Sequence, residues 1–159
     1  MTEREYCFKV KDLEQSKKFC LDNGFQLVSE TEQTRTIYRK SDKTMARITE
    51  DKINDKVKLS LDFKEDKLSG ESLTVRKESK ALVFESLDAV LSILDFLCYN
   101  KDNVLKRKRW IFEKDNIVCE IDFYHSEDGV VVVSIEGNNY EGVDEFYQKF
   151  LVSVENYEK

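Results

Sequence analysis

The chain has 159 residues, 40% of them hydrophobic and 36% charged, with a formal net charge of −6. That length makes one domain, residues 1–159, able to bury a real core, and such an even mixture of charges belongs to a folded soluble protein rather than a disordered one. An acidic total argues against general nucleic-acid binding, no apolar run approaches membrane-spanning length, and a chain charged from Glu3 onward does not open on a secretory signal.

The first strand runs from Thr2 to Val10. Alternation puts Glu3, Glu5, Cys7 and Lys9 on one face and Tyr6, Phe8 and Val10 on the other. Asp12 then reads as the N-cap of a helix, with Gln15 at the third position and Gly24 just past the C-terminus. Strand-like runs follow at 25–39, 44–50, 56–64 and 72–78, with turns at 41–43 and 52–55 and a polar loop over 64–70. In the third of these runs Val57, Leu59, Leu61 and Phe63 oppose Lys58, Ser60, Asp62 and Lys64. A second helix shows an apolar stripe of Leu87, Val90, Leu91, Leu94, Leu97 and Cys98. Three more strands, 103–113, 116–124 and 129–136, precede a last helix over 143–156. In the first of the three, Arg107 and Arg109 share the face opposite Trp110 and Phe112, so the basic run 106–109 is split between two faces. The four cysteines, Cys7, Cys20, Cys98 and Cys119, have neither C-x-x-C nor zinc spacing and read as reduced thiols, which makes a cytoplasmic location the expectation. His125 reads as a turn residue.

Eight strands and three helices of this kind form an α+β protein whose sheet buries one face under helices. The other face is crowded with charges of both signs. If open to water it is a solvated surface; if the strands close into a barrel, the charges line its interior. No glycine-rich phosphate loop of the Walker type is present.

Short motifs in order along these elements resemble the CYTH superfamily, the triphosphate tunnel metalloenzymes. Glu3-Arg4-Glu5-Tyr6-Cys7 resembles the family's Glu-x-Glu-x-Lys, and Gln33-Thr34-Arg35-Thr36 its Gln-x-Asp-Thr. Ala46-Arg47-Ile48-Thr49 resembles Leu-Arg-Ile-Arg, Leu59-Ser60-Leu61-Asp62 resembles Leu-Thr-Leu-Lys, and the stretch from Arg76 to Lys80 resembles Arg-x-Glu-x-Glu. The stretch from Arg107 to Phe112 resembles Lys-x-Arg-x-x-Tyr, and Ile121-Asp122, Gly129 and Ser134-Ile135-Glu136 resemble the closing motif Leu-Asp, Gly, Glu-Ile-Glu. The resemblance implies a closed eight-stranded antiparallel barrel with helices outside. It also implies divalent-metal-dependent processing of a triphosphate (a nucleotide, thiamine triphosphate or tripolyphosphate) by hydrolysis or by class IV adenylyl cyclase-type cyclisation.

By the same resemblance Glu3, Glu5, Asp122 and Glu136 would hold Mg²⁺ or Mn²⁺. Arg47, Arg76, Arg107 and Arg109, with Lys9 and Lys58, would bind phosphate, and Glu3, Glu5, Arg107 and Arg109 would be the catalytic set. A triphosphate needs several cationic partners, and these metals prefer carboxylate oxygen. Arg35 stands at the aspartate position of its motif, and five further positions depart: Cys7, Thr49 and Asp62 replace cations, and Lys80 and Ser134 replace glutamates. Lys9 is then expected to stand in for the ammonium lost at Cys7, and Asp62 to pair with Lys80. The alternative is a catalytically degenerate module that keeps a phosphorylated ligand or a protein partner.

Overall fold

The computed structural model describes the backbone of residues 2–69, 73–126, 128–154 and 157–158. Within those spans, the side chains of residues 2–3, 68–69, 73–74, 76 and 157–158 are outside the description. The elements are β1 (Thr2–Val10), α1 (Leu13–Asp22), β2 (Gln26–Arg39), β3 (Thr44–Ile53), β4 (Lys56–Ser69), β5 (Leu73–Glu78), β6 (Leu82–Phe84), α2 (Leu87–Phe96), β7 (Asn100–Lys114), β8 (Ile117–Tyr124), β9 (Val131–Gly137), α3 (Tyr140–Ser153) and β10 (Tyr157–Glu158). The eight expected strands are present, several longer than expected. The short β6 and β10 add to the edges of β4 and β1.

Local chemistry explains the boundaries. Asp12 caps α1 by accepting from the backbone N–H of Gln15 at 2.9 Å. Gln15 does not reach back; its amide donates to the Ser153 carbonyl at 3.4 Å instead. Gly24 ends the helix at φ +82, a conformation that costs a residue without Cβ little. α2 stops at Phe96, earlier than its apolar stripe suggests, because Cys98 turns to φ +62. α3 starts three residues earlier than expected, since the Asn139 side chain accepts from Gly142 N–H at 3.2 Å. Two hairpins turn on left-handed pairs, Asn54–Asp55 and Asp115–Asn116, whose twist matches that of the flanking strands.

All strand pairs are antiparallel, and the sheet is strongly curled. Its pairing order runs β1-β5-β4-β3-β2-β7-β8-β9. β1 also pairs with β9, from Arg4 opposite Gly137 to Val10 opposite Val131.

The apolar faces of the strands point outward, under the helices. Phe8, Val10, Trp110, Phe112, Cys119, Ile121, Val133 and Ile135 pack against Cys20 of α1 and against Val143, Phe146, Tyr147 and Phe150 of α3. Phe25 and Phe146 stack at 4.2 Å, and Tyr6 and Tyr147 at 3.8 Å. A fully buried side chain such as Phe150 contributes about 1.5–3 kcal/mol. A second, smaller cluster joins Ala46, Ile48 and Leu61 to Val90 and Leu94 of α2. Both cores therefore lie on the convex side, which leaves the concave side to the polar residues. Among the described residues no helix is long and apolar enough to cross a membrane.

Candidate functional site on the concave face

The side chains of opposite parity to the two cores line the concave face. Glu5, Thr31, Gln33, Arg47, Thr49, Lys64, Arg107, Arg109, Asp122 and Ser134 are all buried there. Buried charge is costly unless paired, and here the pairing follows the sheet register. Arg47 lies directly opposite Asp62, and Arg109 directly opposite Asp122.

Two ion-pair clusters result. In the first, Arg47 donates through Nε to Asp62 Oδ1 at 2.8 Å and through Nη2 to the other oxygen of Asp62. The same Nη2 reaches Glu78 at 2.7 Å, and Lys64 Nζ lies 2.9 Å from the second Glu78 oxygen. In the second cluster, Asp122 accepts from Arg109 Nε and Nη2, both at 2.7 Å, and from Arg107 Nη1 at 2.6 Å. Arg109 Nη1 also meets Glu120 at 2.5 Å. Arg107 donates through Nε to Gln33 at 2.9 Å and through Nη1 to the Tyr124 hydroxyl at 3.1 Å, while its buried Nη2 has no hydrogen-bond partner among the described residues.

The electrostatics divide the arginines. Burial alone depresses each guanidinium. At Arg47 it is outweighed by Asp62 and then Glu78, and at Arg109 by Glu120 and Asp122, so both are held above their ordinary value. At Arg107 burial and the neighbouring Arg109 prevail, and the guanidinium is pushed down. Arg35 is pushed well below its ordinary value by burial and then by Arg47, Arg107 and Arg109. Glu120 is driven up by burial, but Arg109, Arg107, Arg35 and Lys64 outweigh it and hold the carboxyl below its usual range.

The expected site residues are distributed unevenly. Arg47, Arg107, Arg109 and Asp122 meet in the two clusters. Glu5 and Glu136 lie directly opposite one another on β1 and β9. Glu136 also lines a cavity of about 410 Å³ at the β7–β8 hairpin end, with Glu113, Val118 and Asn138. The side chains of Glu3 and Arg76 fall outside the described residues, although their backbones pair across β1 and β5. Lys9 and Lys58 are exposed and take no part in the clusters. Among the described residues no group of three or more His, Cys, Asp or Glu is arranged to hold a metal ion.

Two expectations about the altered positions change. Asp62 does not pair with Lys80, which is exposed; its partner is Arg47 on the adjoining strand. Cys7, which lacks the motif ammonium, stands directly opposite Ser134, which lacks the motif carboxylate. A cation and an anion are thus missing from facing positions, and the pair leaves no local charge imbalance. Lys64 and Glu120 belong to the clusters and Arg35 borders them, and none of the three was among the expected site residues. Parity carried that signal for Lys64, which shares a face with Lys58, and for Glu120, which shares one with Asp122; no expected site residue lies on β2 to point to Arg35.

No family model matches the sequence, and no curated protein matches it. Solved structures match its fold over nearly the whole chain. The PH1012 protein of Pyrococcus horikoshii is 20% identical with a TM-score of 0.76, covering 98% of this chain and 94% of that one. HpAC1 of Hippeastrum, described as an adenylyl cyclase candidate with a dominant triphosphatase activity, is 14% identical with a TM-score of 0.66, over 98% and 90%. A chain of the Schizosaccharomyces pombe Mediator head module is 8% identical with a TM-score of 0.64, over 94% and 92%. The chain thus has the CYTH-like fold that the motifs implied.

Proposed function

We propose that the concave face binds a triphosphate-bearing small molecule with Mg²⁺ or Mn²⁺, inside a complete tunnel, and hydrolyses or cyclises it. The observation that carries this reading is the row of buried arginines Arg47, Arg107 and Arg109 on one polar face of a curled sheet. Guanidinium groups match phosphate oxygens in bidentate geometry and remain charged when buried. Pairing of β1 with both β5 and β9 supports completion of the tunnel wall.

In this reading Arg47, Arg107, Arg109 and Arg76 hold the phosphate oxygens, and Lys9 and Lys58 guide the anion from outside. The donor set fits a divalent cation at one place. Glu5 and Glu136 offer hard carboxylate oxygen from facing positions, and one or two carboxylates plus phosphate suffice for Mg²⁺. Asp122, with both oxygens already accepting from arginine, fits a positioning role better than a ligand role. When bound, the cation would offset charge on the phosphoryl oxygens. The arginines orient the chain of phosphates, and the surrounding wall limits the access of water.

One observation favours a second reading. Arg47 and Arg109 already hold carboxylates of the chain itself, which suits a module that binds a phosphorylated ligand or a protein partner without turnover. The likeness to a Mediator head chain points the same way. The test is release of phosphate and of pyrophosphate from ATP, thiamine triphosphate and tripolyphosphate, with Mg²⁺, Mn²⁺ or EDTA, alongside calorimetric binding. Metal-dependent release, lost in Glu5→Gln and Glu136→Gln, supports the enzyme. Binding without release selects the module, and neither binding nor release sinks the triphosphate reading.

A further inference from the structure

Arg35 is the odd residue of the concave face. It donates through Nε to Thr49 Oγ1 at 3.3 Å, and among the described residues no carboxylate lies within ion-pair range of it. Its side chain keeps some accessible surface while protein surrounds it on nearly every side, as expected of a group bordering a lumen. The charges that act on it most strongly are mostly of its own sign: Arg47, Arg107 and Arg109, with Glu120 as a partial offset. A lone buried guanidinium among three others is a costly arrangement unless something anionic joins it. A second observation points to the same place. Arg107, which neighbours Arg35, has no partner among the described residues for its buried Nη2, although its other nitrogens are engaged. Four carboxylates of the face, Asp62, Glu78, Glu120 and Asp122, are already committed to Arg47, Lys64, Arg107 and Arg109.

We infer that Arg35 and the unpartnered Nη2 of Arg107 form an oxyanion seat that takes a phosphoryl group. This inference rests on the proposed phosphate-binding role of the concave face and names the residue that contributes most to it. Arg35 is directly opposite Thr49 in the β2–β3 register. A cation absent from β3 is therefore supplied from the adjoining strand, at the same level of the wall. Arg47 and Arg109 hold carboxylates of the chain, so an incoming oxyanion meets less competition at Arg35 than at either of them. The seat needs no divalent cation of its own, because the guanidinium groups supply the counter-charge.

The test compares wild-type, Arg35→Gln and Arg35→Lys by calorimetry and thermal melts. The probes are orthophosphate and tripolyphosphate, each with EDTA and with Mg²⁺. Loss of a charge-assisted contact should weaken phosphate binding by about 10- to 100-fold in Arg35→Gln. Arg35→Lys should retain part of the affinity. Without ligand, Arg35→Gln should melt higher than wild-type, since one of the mutually repelling cations is gone; a merely structural arginine would melt lower when removed. If wild-type and Arg35→Gln bind tripolyphosphate equally, the seat is overturned and the triphosphate reading stands. If orthophosphate binds with EDTA and depends on Arg35 while tripolyphosphate fails with or without metal, the seat stands and the triphosphate reading falls. If wild-type binds neither anion, both fall.

Discussion

Asp122→Asn is the sharpest test of how the concave face is held together. The Asp122 side chain is 3% exposed and accepts hydrogen bonds from Arg109 at two positions and from Arg107 at one. Asparagine keeps the shape and one acceptor oxygen but removes the negative charge. Two buried guanidinium groups then face a neutral amide, one of whose ends is itself a donor. Removing one partner of a buried ion pair costs about 3–5 kcal/mol. For a domain of this size, each kcal/mol lowers the melting temperature by about 2–4 °C, so a fall of about 6–20 °C is expected. The assay is urea unfolding by circular dichroism together with thermal melts. Sulfate should restore part of the loss more effectively than chloride, because a small oxyanion can replace the missing carboxylate. The double variant Asp122→Asn/Arg109→Gln should lose less than the sum of the two single changes, since it removes one of the cations left without counter-charge. A melt within about 2 °C of wild-type, a shift worth no more than about 1 kcal/mol for a domain of this size, would falsify the view that Asp122 anchors the arginines.

Three further outcomes follow from the same geometry. Asp62→Asn should raise the affinity of the concave face for tripolyphosphate, since Arg47 would keep only Glu78 as an anionic partner; equal or weaker binding by calorimetry refutes competition by Asp62. Glu120 is held below its ordinary value in the folded chain, so it stabilises the fold above the unfolded-state value and loses that effect as pH falls through the folded one. Glu120→Gln should therefore flatten the loss of stability in acid, and a pH profile of unfolding as steep as that of wild-type counts against it. A Cβ placed on Gly137 would lie 2.7 Å from the Asn116 carbonyl oxygen, so Gly137→Ala should destabilise by about 1–3 kcal/mol through overpacking; unchanged urea unfolding would show that the hairpin gives way freely.

Much of this site was legible in alternation alone. In β7 the periodicity separates Arg107 and Arg109 from Trp110 and Phe112, and the structure puts the first pair on the concave face and the second in the core. In β8 it separates Glu120 and Asp122 from Cys119 and Ile121 in the same way. Pairing across strands was not legible, because it depends on register. Two charge reversals in the sequence, Asp62 and Lys80, invite a mutual bond, yet the β3–β4 register puts Asp62 opposite Arg47. Nor does the sequence show that Cys7 and Ser134 face each other across β1 and β9, which turns two separate departures into one neutral exchange. The start of α3 was misplaced because Tyr140 and Glu141 do not continue the apolar stripe, whereas the Asn139 cap fixes the first turn regardless of it.

The pairing of Arg4 with Gly137 and of Val10 with Val131 also has a kinetic meaning. β1 is made before β9 and must wait for it before its second edge is covered. Until then an edge of β1 stays open, and Glu5 has no Glu136 opposite it. Contacts of such sequence separation are slow to form, because the intervening chain must be ordered before they return any stabilisation. The helix α1 and the β2–β3–β4 meander rest on local contacts and can form early. The charged concave face belongs to the last stage, when β9 joins β1 and water leaves the arginines. A nascent or partly unfolded chain therefore exposes an unpaired strand edge, the kind of surface on which a second chain adds most readily.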